Sequence, residues 1–358
     1  MTEANASGPH EISLALQGGG AHGAFEWGVL DALLKDGRVS PTALSGVSAG
    51  AMNACACATG LTSGGHDGAR STLAAFWRAV SDAGPHNPFG GIVDPTGWGK
   101  TLGEAFTDAN PFLKAAQSMA SSFAGGQAIG LSPYQFNPFN LNPLRTALSA
   151  VVDFDGIRAA SLVKLFIGAT AVRSGRLAIF REGDLTVDHV LASACLPYLF
   201  QAVEIEGEAY WDGGFLANPP LWPMFYNDLP RDVLVISVNP FRRATTPHDA
   251  ASILDRLNEI SFNASLVAEF RAAAFVNRLV DDDLLNEKGR EAYKPVRLHM
   301  ICGDGWLDNE SVTSKFNTNW SFLCELRDRG REAAHQWLER DLKAVGRHSS
   351  VDVRAQFL

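Results

Sequence analysis

Short apolar runs ending at glycine alternate with amphipathic stretches along the first 58 residues. Ile12-Ser-Leu-Ala-Leu16 stops at Gln17-Gly18-Gly19-Gly20, which predicts a buried strand ending in a glycine turn. Phe25, Val29, Leu30, Leu33 and Leu34 then recur at helical spacing from Ala24 to Lys35, and Asp36-Gly37 supplies the stop. Ala43-Leu-Ser-Gly-Val47 reads as a second strand. It runs through Ser48 into a small-residue helix from Ala49 to Ala58. Strand, turn, helix, strand, turn, helix is the pattern of a parallel sheet with right-handed crossovers.

A further helix is expected over Leu73 to Val80. Regular structure then lapses until a strand at Leu162 to Val172, joined by Arg173-Ser-Gly175 to a hairpin partner at Arg176 to Phe180. A helix near Val187 to Cys195 precedes a second hairpin, Glu204 to Trp211, which delivers Asp212-Gly213-Gly214. Val233 to Val238 is an unbroken apolar run suited to a central parallel strand. A long helix (about 250–280), a strand (296–301) and a last helix (about 318–345) complete the series. With no internal repeat and no Pro/Ser linker, the simplest expectation is one unit over 8–345. Residues 240–358 form its mainly helical C-terminal part.

Composition narrows the function. The 358 residues are 46% hydrophobic and 19% charged, which excludes a disordered chain, and the net charge of −9 makes a general nucleic-acid binder a poor fit. No run is long enough for a membrane span, and Met1 to His10 has no basic or apolar region of a secretory signal. Cys55, Cys57, Cys195, Cys302 and Cys324 are scattered and odd in number, so buried free thiols in a cytoplasmic protein are expected. Residues 85–143 stand apart, with seven prolines, eight glycines and only five charged side chains. Phe89, Trp98, Phe106, Phe112, Phe123, Phe136 and Phe139 are threaded through this segment. Too apolar for a solvated linker, it is expected to pack on the body, a partner or lipid.

Gly46-Val-Ser48-Ala-Gly50 fits Gly-x-Ser-x-Gly, the nucleophile elbow, in which side chains two before and two after the serine would collide across a sharp turn. The helix that follows points its N-terminal amides at Ser48, favouring negative charge there. Gly18-Gly19-Gly20-Ala21-His22-Gly23 matches the dinucleotide fingerprint literally. That reading needs an acidic residue at the end of the second strand, and Ser45-Gly46-Val47-Ser48 offers none. The competing reading is an oxyanion hole of converging backbone N–H groups, at the same end of the sheet as Ser48. Asp212-Gly213-Gly214 alone is a turn; with Ser48 it is a candidate base. Among the histidines, His299 is the best triad candidate, but its alternation with apolar residues suits a hydrogen-bonded strand position better.

Together, Gln17 to Ala24, Gly46 to Gly50 and Asp212-Gly213-Gly214 resemble the patatin-like phospholipase family, from about Ile12 to Asn239. Ser193-Ala-Cys-Leu-Pro197 resembles the family's small-residue segment ahead of the aspartate. Many relatives carry Arg or Lys where this chain has His22. The resemblance implies a three-layer α/β/α fold with a mostly parallel sheet, and a lipid acyl hydrolase of phospholipase A or esterase type. It also implies a Ser-Asp dyad with no histidine, no cofactor and no metal. Carried over, Ser48 is the nucleophile, Asp212 the base, and Gly18, Gly19 and Gly20 the oxyanion turn, with Gly23, Gly46, Gly50, Gly213 and Gly214 as supports. The substrate expected is a lipid or another ester, including neutral lipids, small esters or a stored polyester. Residues 85–143 would form an apolar cap or a peripheral membrane contact. A silent storage or scaffold protein of the same fold, or a nucleotide-binding module, is the alternative from another class.

Overall fold

The structure, a computed structural model, describes residues 8–83, 132–225 and 229–357. Five parallel strands form its centre: β1 (His10–Leu16), β2 (Val39–Gly46), β3 (Lys164–Ala171), β7 (Asp232–Ser237) and β8 (Arg297–Cys302). They lie in the order β3-β2-β1-β7-β8, so the order reverses between β1 and β7. A crevice opens beyond the carboxyl ends of strands at such a reversal. β4 (Arg176–Arg181) and the hairpin β5 (Val203–Ile205) and β6 (Glu208–Asp212) add antiparallel pairing around β3.

Consecutive residues of the central strands point to opposite faces, and both faces are covered. Leu14, Leu16, Leu44, Leu165, Ile167, Leu234 and Ile236 pack into one core. That core is closed by α1 (Gly23–Asp36), α2 (Ala49–Ala83) and the later helix α10 (Trp320–Arg340). Ala15, Ala43, Phe166, Val233, Val235 and Leu298 face the other way, against Leu266, Phe270 and Ala273 of α8 (Ala250–Asp281). These three layers are the α/β/α arrangement expected. Smaller helices among the described residues are α3 (Pro133–Phe136), α4 (Pro143–Val151), α5 (Phe154–Ala160), α6 (Val187–Ser193), α7 (Trp222–Phe225), α9 (Glu287–Ala292) and α11 (Val353–Phe357).

Three expectations need adjustment. The helices expected at 49–58 and 73–80 are two arms of α2, joined at a break where Gly64 and Gly65 leave helical geometry, the latter with φ of 62°. Residues 59–72, though glycine-rich, are therefore mostly helical, because the arms pack on one another and on the core. The last helix stops at Arg340 and gives way to a tight turn at Leu342–Ala344. Cys55, Cys57 and Cys195 are buried free thiols, whereas Cys302 and Cys324 are half-exposed. Most of the apolar segment 85–143 lies outside the described residues. Of its described end, Tyr134, Phe139 and Leu141 are exposed.

Candidate active site

β2 ends at Gly46, and the chain enters α2 at Ala49 through Ser48, whose φ of 53° lies in the left-handed region that a non-glycine residue rarely adopts. The turn is too tight for side chains on either flank. A Cβ on Gly46 would lie 2.5 Å from the Gly50 carbonyl carbon, and one on Gly50 only 2.2 Å from the Leu16 carbonyl oxygen. The Ser48 N–H donates to both the carbonyl and the hydroxyl oxygen of Ser193, each at 3.1 Å. Two residues further, the Cys195 carbonyl accepts the Asp212 N–H at 2.9 Å. The segment leaving α6 thus ties down the backbones of Ser48 and Asp212 together.

β3 sets the spacing between them. β4 pairs along one edge of β3 from Phe166 to Ala171, so β2 and β6 share the other edge. Gly46 stands opposite Ile167 and Asp212 opposite Ala169. Asp212 is buried, and burial pushes its carboxyl up to about 7, against the opposing pull of the Gly214 N–H it accepts and of the neighbouring Ser48 hydroxyl. The Gly214 bond measures 2.7 Å. Gly213 and Gly214 open the tight turn that carries the chain away from the carboxylate.

The glycine turn closes the site from the β1 side. Gly18 lies against the elbow: a Cβ there would stand 3.0 Å from Ser48 Cβ. Its N–H donates to Asn218 Oδ1 at 2.6 Å, and its carbonyl accepts from Asn239 Nδ2 at 3.1 Å and Asn218 Nδ2 at 3.4 Å. The N–H groups of Gly19 and Gly20 have no hydrogen-bond partner among the described residues. Gly20 starts a short turn through His22, and Gly23 begins α1 beside Ala49. Beneath the turn, Gln17 Oε1 accepts from Ser237 Oγ and from the Val238 and Asn239 N–H groups, while Nε2 donates to Asn263 Oδ1 at 2.8 Å.

Neither of the two histidines of interest hydrogen-bonds Ser48 or Asp212. The buried His22 ring bonds Ser314 Oγ through Nε2 at 2.7 Å, and burial, with Lys315 and Arg329 nearby, holds its pKa well below the usual value. A cation does stand beside the turn. Lys315, which follows Ser314, places its ammonium 2.7 Å from Asn239 Oδ1. His299 bonds Asp232 at the start of β7 and Ser350, at the opposite end of the sheet from Ser48. No group of three or more metal-ligating side chains occurs among the described residues. Asn218, Asn239 and Lys315 were not singled out from the sequence. The Asn-Pro dipeptides at 218–219 and 239–240, each just past an element that leads to the site, were the available signal.

The model of the patatin-like phospholipase family matches residues 14–225, and the chain belongs to that family. It is a lipid ester hydrolase by that membership. No curated protein matches the chain. Among solved structures it is similar to VipD from Legionella pneumophila, at 17% identity and a TM-score of 0.38, over 94% of this chain and 69% of VipD. It is also similar to full-length ExoU, in complex with SpcU, from the type III secretion system of Pseudomonas aeruginosa. That match has 16% identity and a TM-score of 0.32, over 95% of this chain and 54% of ExoU. The chain therefore spans about half the length of ExoU. No helix among the described residues is long and apolar enough to cross a membrane.

Proposed function

We propose that the protein hydrolyses carboxylic esters of lipids through a Ser48–Asp212 dyad and an acyl-enzyme. The observation that carries this reading is the juxtaposition, along one edge of β3, of the Ser48 elbow and the buried Asp212 carboxyl, which burial raises to about 7. A solvated aspartate, near 3.9, is a feeble base; one near 7 is matched to proton transfer at neutral pH. Ser48 Oγ attacks the ester carbonyl carbon as its proton passes to Asp212. The negative oxygen that develops is received by the Gly19 and Gly20 N–H groups. Collapse breaks the ester C–O bond, and Asp212 returns the proton to the departing alcohol. Water then loses a proton to Asp212 and attacks the acyl-enzyme, and the proton returns to Ser48 as the fatty acid leaves.

Support for a lipid rather than a polar ester comes from exposed apolar side chains just past Asp212. Phe215 and Leu216, in the turn past Asp212, and Trp222 beyond it are 45%, 38% and 41% exposed, apolar side chains that would suit contact with a lipid phase. Given the net negative charge, contact with a lipid surface would rest on apolar insertion rather than on attraction to anionic headgroups. The test is fluorophosphonate labelling together with release of fatty acid from phosphatidylcholine vesicles. Both are expected of the wild type and absent from Ser48→Ala. Full hydrolysis by Ser48→Ala would overturn the proposal.

A further inference from the structure

The glycine turn is oriented from a part of the chain that lies beyond residue 225, where the family match ends. Lys315 sits in the tight turn Thr313–Phe316, and its backbone carbonyl packs against Gly20: a Cβ on Gly20 would stand 2.4 Å from that oxygen. Its ammonium donates to Asn239 Oδ1 at 2.7 Å and Asn258 Oδ1 at 2.8 Å, and lies 5.2 Å from the centre of the Phe262 ring. Phe262 in turn abuts Gly214, where a Cβ would stand 3.0 Å from its ring. The ammonium therefore stands between the glycine turn and the Asp212-Gly213-Gly214 turn.

An amide whose oxygen is taken by an ammonium presents its nitrogen as donor. With Oδ1 on Lys315, Asn239 turns Nδ2 to the Gly18 carbonyl, at 3.1 Å. In a planar trans peptide the N–H points opposite to the carbonyl. Anchoring the Gly18 carbonyl on Asn239 and Asn218 therefore aims the Gly19 N–H away from both of them. We infer that Lys315 is a positioning residue for the hydrolase, acting through Asn239 to hold the Gly18–Gly19 peptide in the orientation that offers Gly19 N–H to the developing oxyanion. The inference rests on the Ser48 reading above.

The charged groups around the ammonium leave it to this task. Glu259 of α8 is already paired with Arg243 and Arg256, and Glu310 with Arg329. Asp255 of α8 accepts the Val312 N–H, and His22 faces from the turn before α1. Burial brings the Lys315 pKa down to about 8, with Glu259 and Asp255 opposing the fall. In mildly alkaline solution the ammonium should accordingly begin to lose its proton, weakening its bond to Asn239 from that of a charged donor to that of a neutral amine.

The experiment is steady-state hydrolysis of para-nitrophenyl butanoate by the full chain, with Ser48→Ala alongside. Lys315→Met should lower kcat by roughly 10- to 100-fold, the scale of a misplaced catalytic group, with KM within about two-fold. The double variant Lys315→Met/Asn239→Ala should be no slower than Asn239→Ala alone, because both changes release one peptide. Wild-type kcat should fall above about pH 8, and Lys315→Arg should move that fall upward. Wild-type kcat in Lys315→Met, or losses that multiply in the double variant, would overturn the inference while leaving Ser48 in place. Should Lys315→Met not fold, a flat alkaline profile in the wild type would do the same. An active Ser48→Ala would remove the catalytic reading and this one with it.

Discussion

Asp212 pairs with Ala169 on the edge of β3 that Gly46 vacates after its pairing with Ile167. One strand therefore measures out the distance between the elbow and the aspartate. The hairpin that carries Asp212 does not need to find Ser48 independently, because its register on β3 delivers the carboxylate to the elbow. The Ser193–Cys195 segment repeats the measurement through the backbone N–H groups of both residues.

On the proposed dyad, Asp212 takes the Ser48 proton only when ionised, and burial raises its carboxyl to about 7. The kcat/KM of the wild type should therefore rise with pH through about 7 and level off until the alkaline fall. Asp212→Asn should lose about 10²- to 10⁴-fold in rate and lose the acid limb with it. A pH–rate profile of both proteins checks the point.

The same raised pKa makes Asp212 a cost to the fold. The folded state favours the protonated carboxyl, so stability falls as pH climbs from the unfolded value, near 3.9, through about 7. Asp212→Asn, which can still accept the Gly214 N–H, should thus be more stable than the wild type. The advantage should be about 2–3 kcal/mol larger near pH ~8 than near pH ~5. Urea melts at the two pH values measure it.

At the opposite end of the sheet the sign reverses. Asp232 is held well below the usual carboxylate range. Burial pushes its pKa up, but bonds from His299, Arg297 and the Gly346 N–H outweigh it. Its contribution is present above about pH 4 and is lost as pH falls through the depressed folded value. Asp232→Asn should destabilise by about 2–3 kcal/mol at neutral pH, with the gap closing in acid, and should leave kcat unchanged. Urea melts down to acid pH read the effect.

Gln17 is a second structural hub whose loss reaches the site. Gln17→Leu would leave the Val238 and Asn239 N–H groups and the Ser237 hydroxyl without their shared acceptor. A loss of about 2–4 kcal/mol in stability is expected, at about 1–3 kcal/mol for each buried group left unpaired and partly relieved by relaxation. Fluorophosphonate labelling of Ser48 should slow in parallel.

Gly50→Ala should be more damaging than either, since the added methyl would meet the Leu16 carbonyl rather than a side chain that can move. Little folded protein is expected. Expression and circular dichroism beside Ser48→Ala, which should fold normally, would separate a steric effect from a chemical one.

Only 19% of residues are charged, and apolar side chains cover both faces of the central strands. The strands, the major helices, the elbow, the glycine turn and the aspartate were legible because each is a local pattern. Periodicity fixes the exposed and buried faces, and glycine marks a turn that no other residue can make. Family likeness then put Ser48 and Asp212 together, which spacing alone did not. Only the tertiary structure decided that β2 and β6 share one edge of β3, that Ser193 and Cys195 hold both backbones, and that Lys315 reaches Gly18 through Asn239. Those are pairings between residues far apart in the chain. Nothing in the immediate neighbourhood of an asparagine or a lysine marks what it will meet once the sheet has brought distant segments to one end.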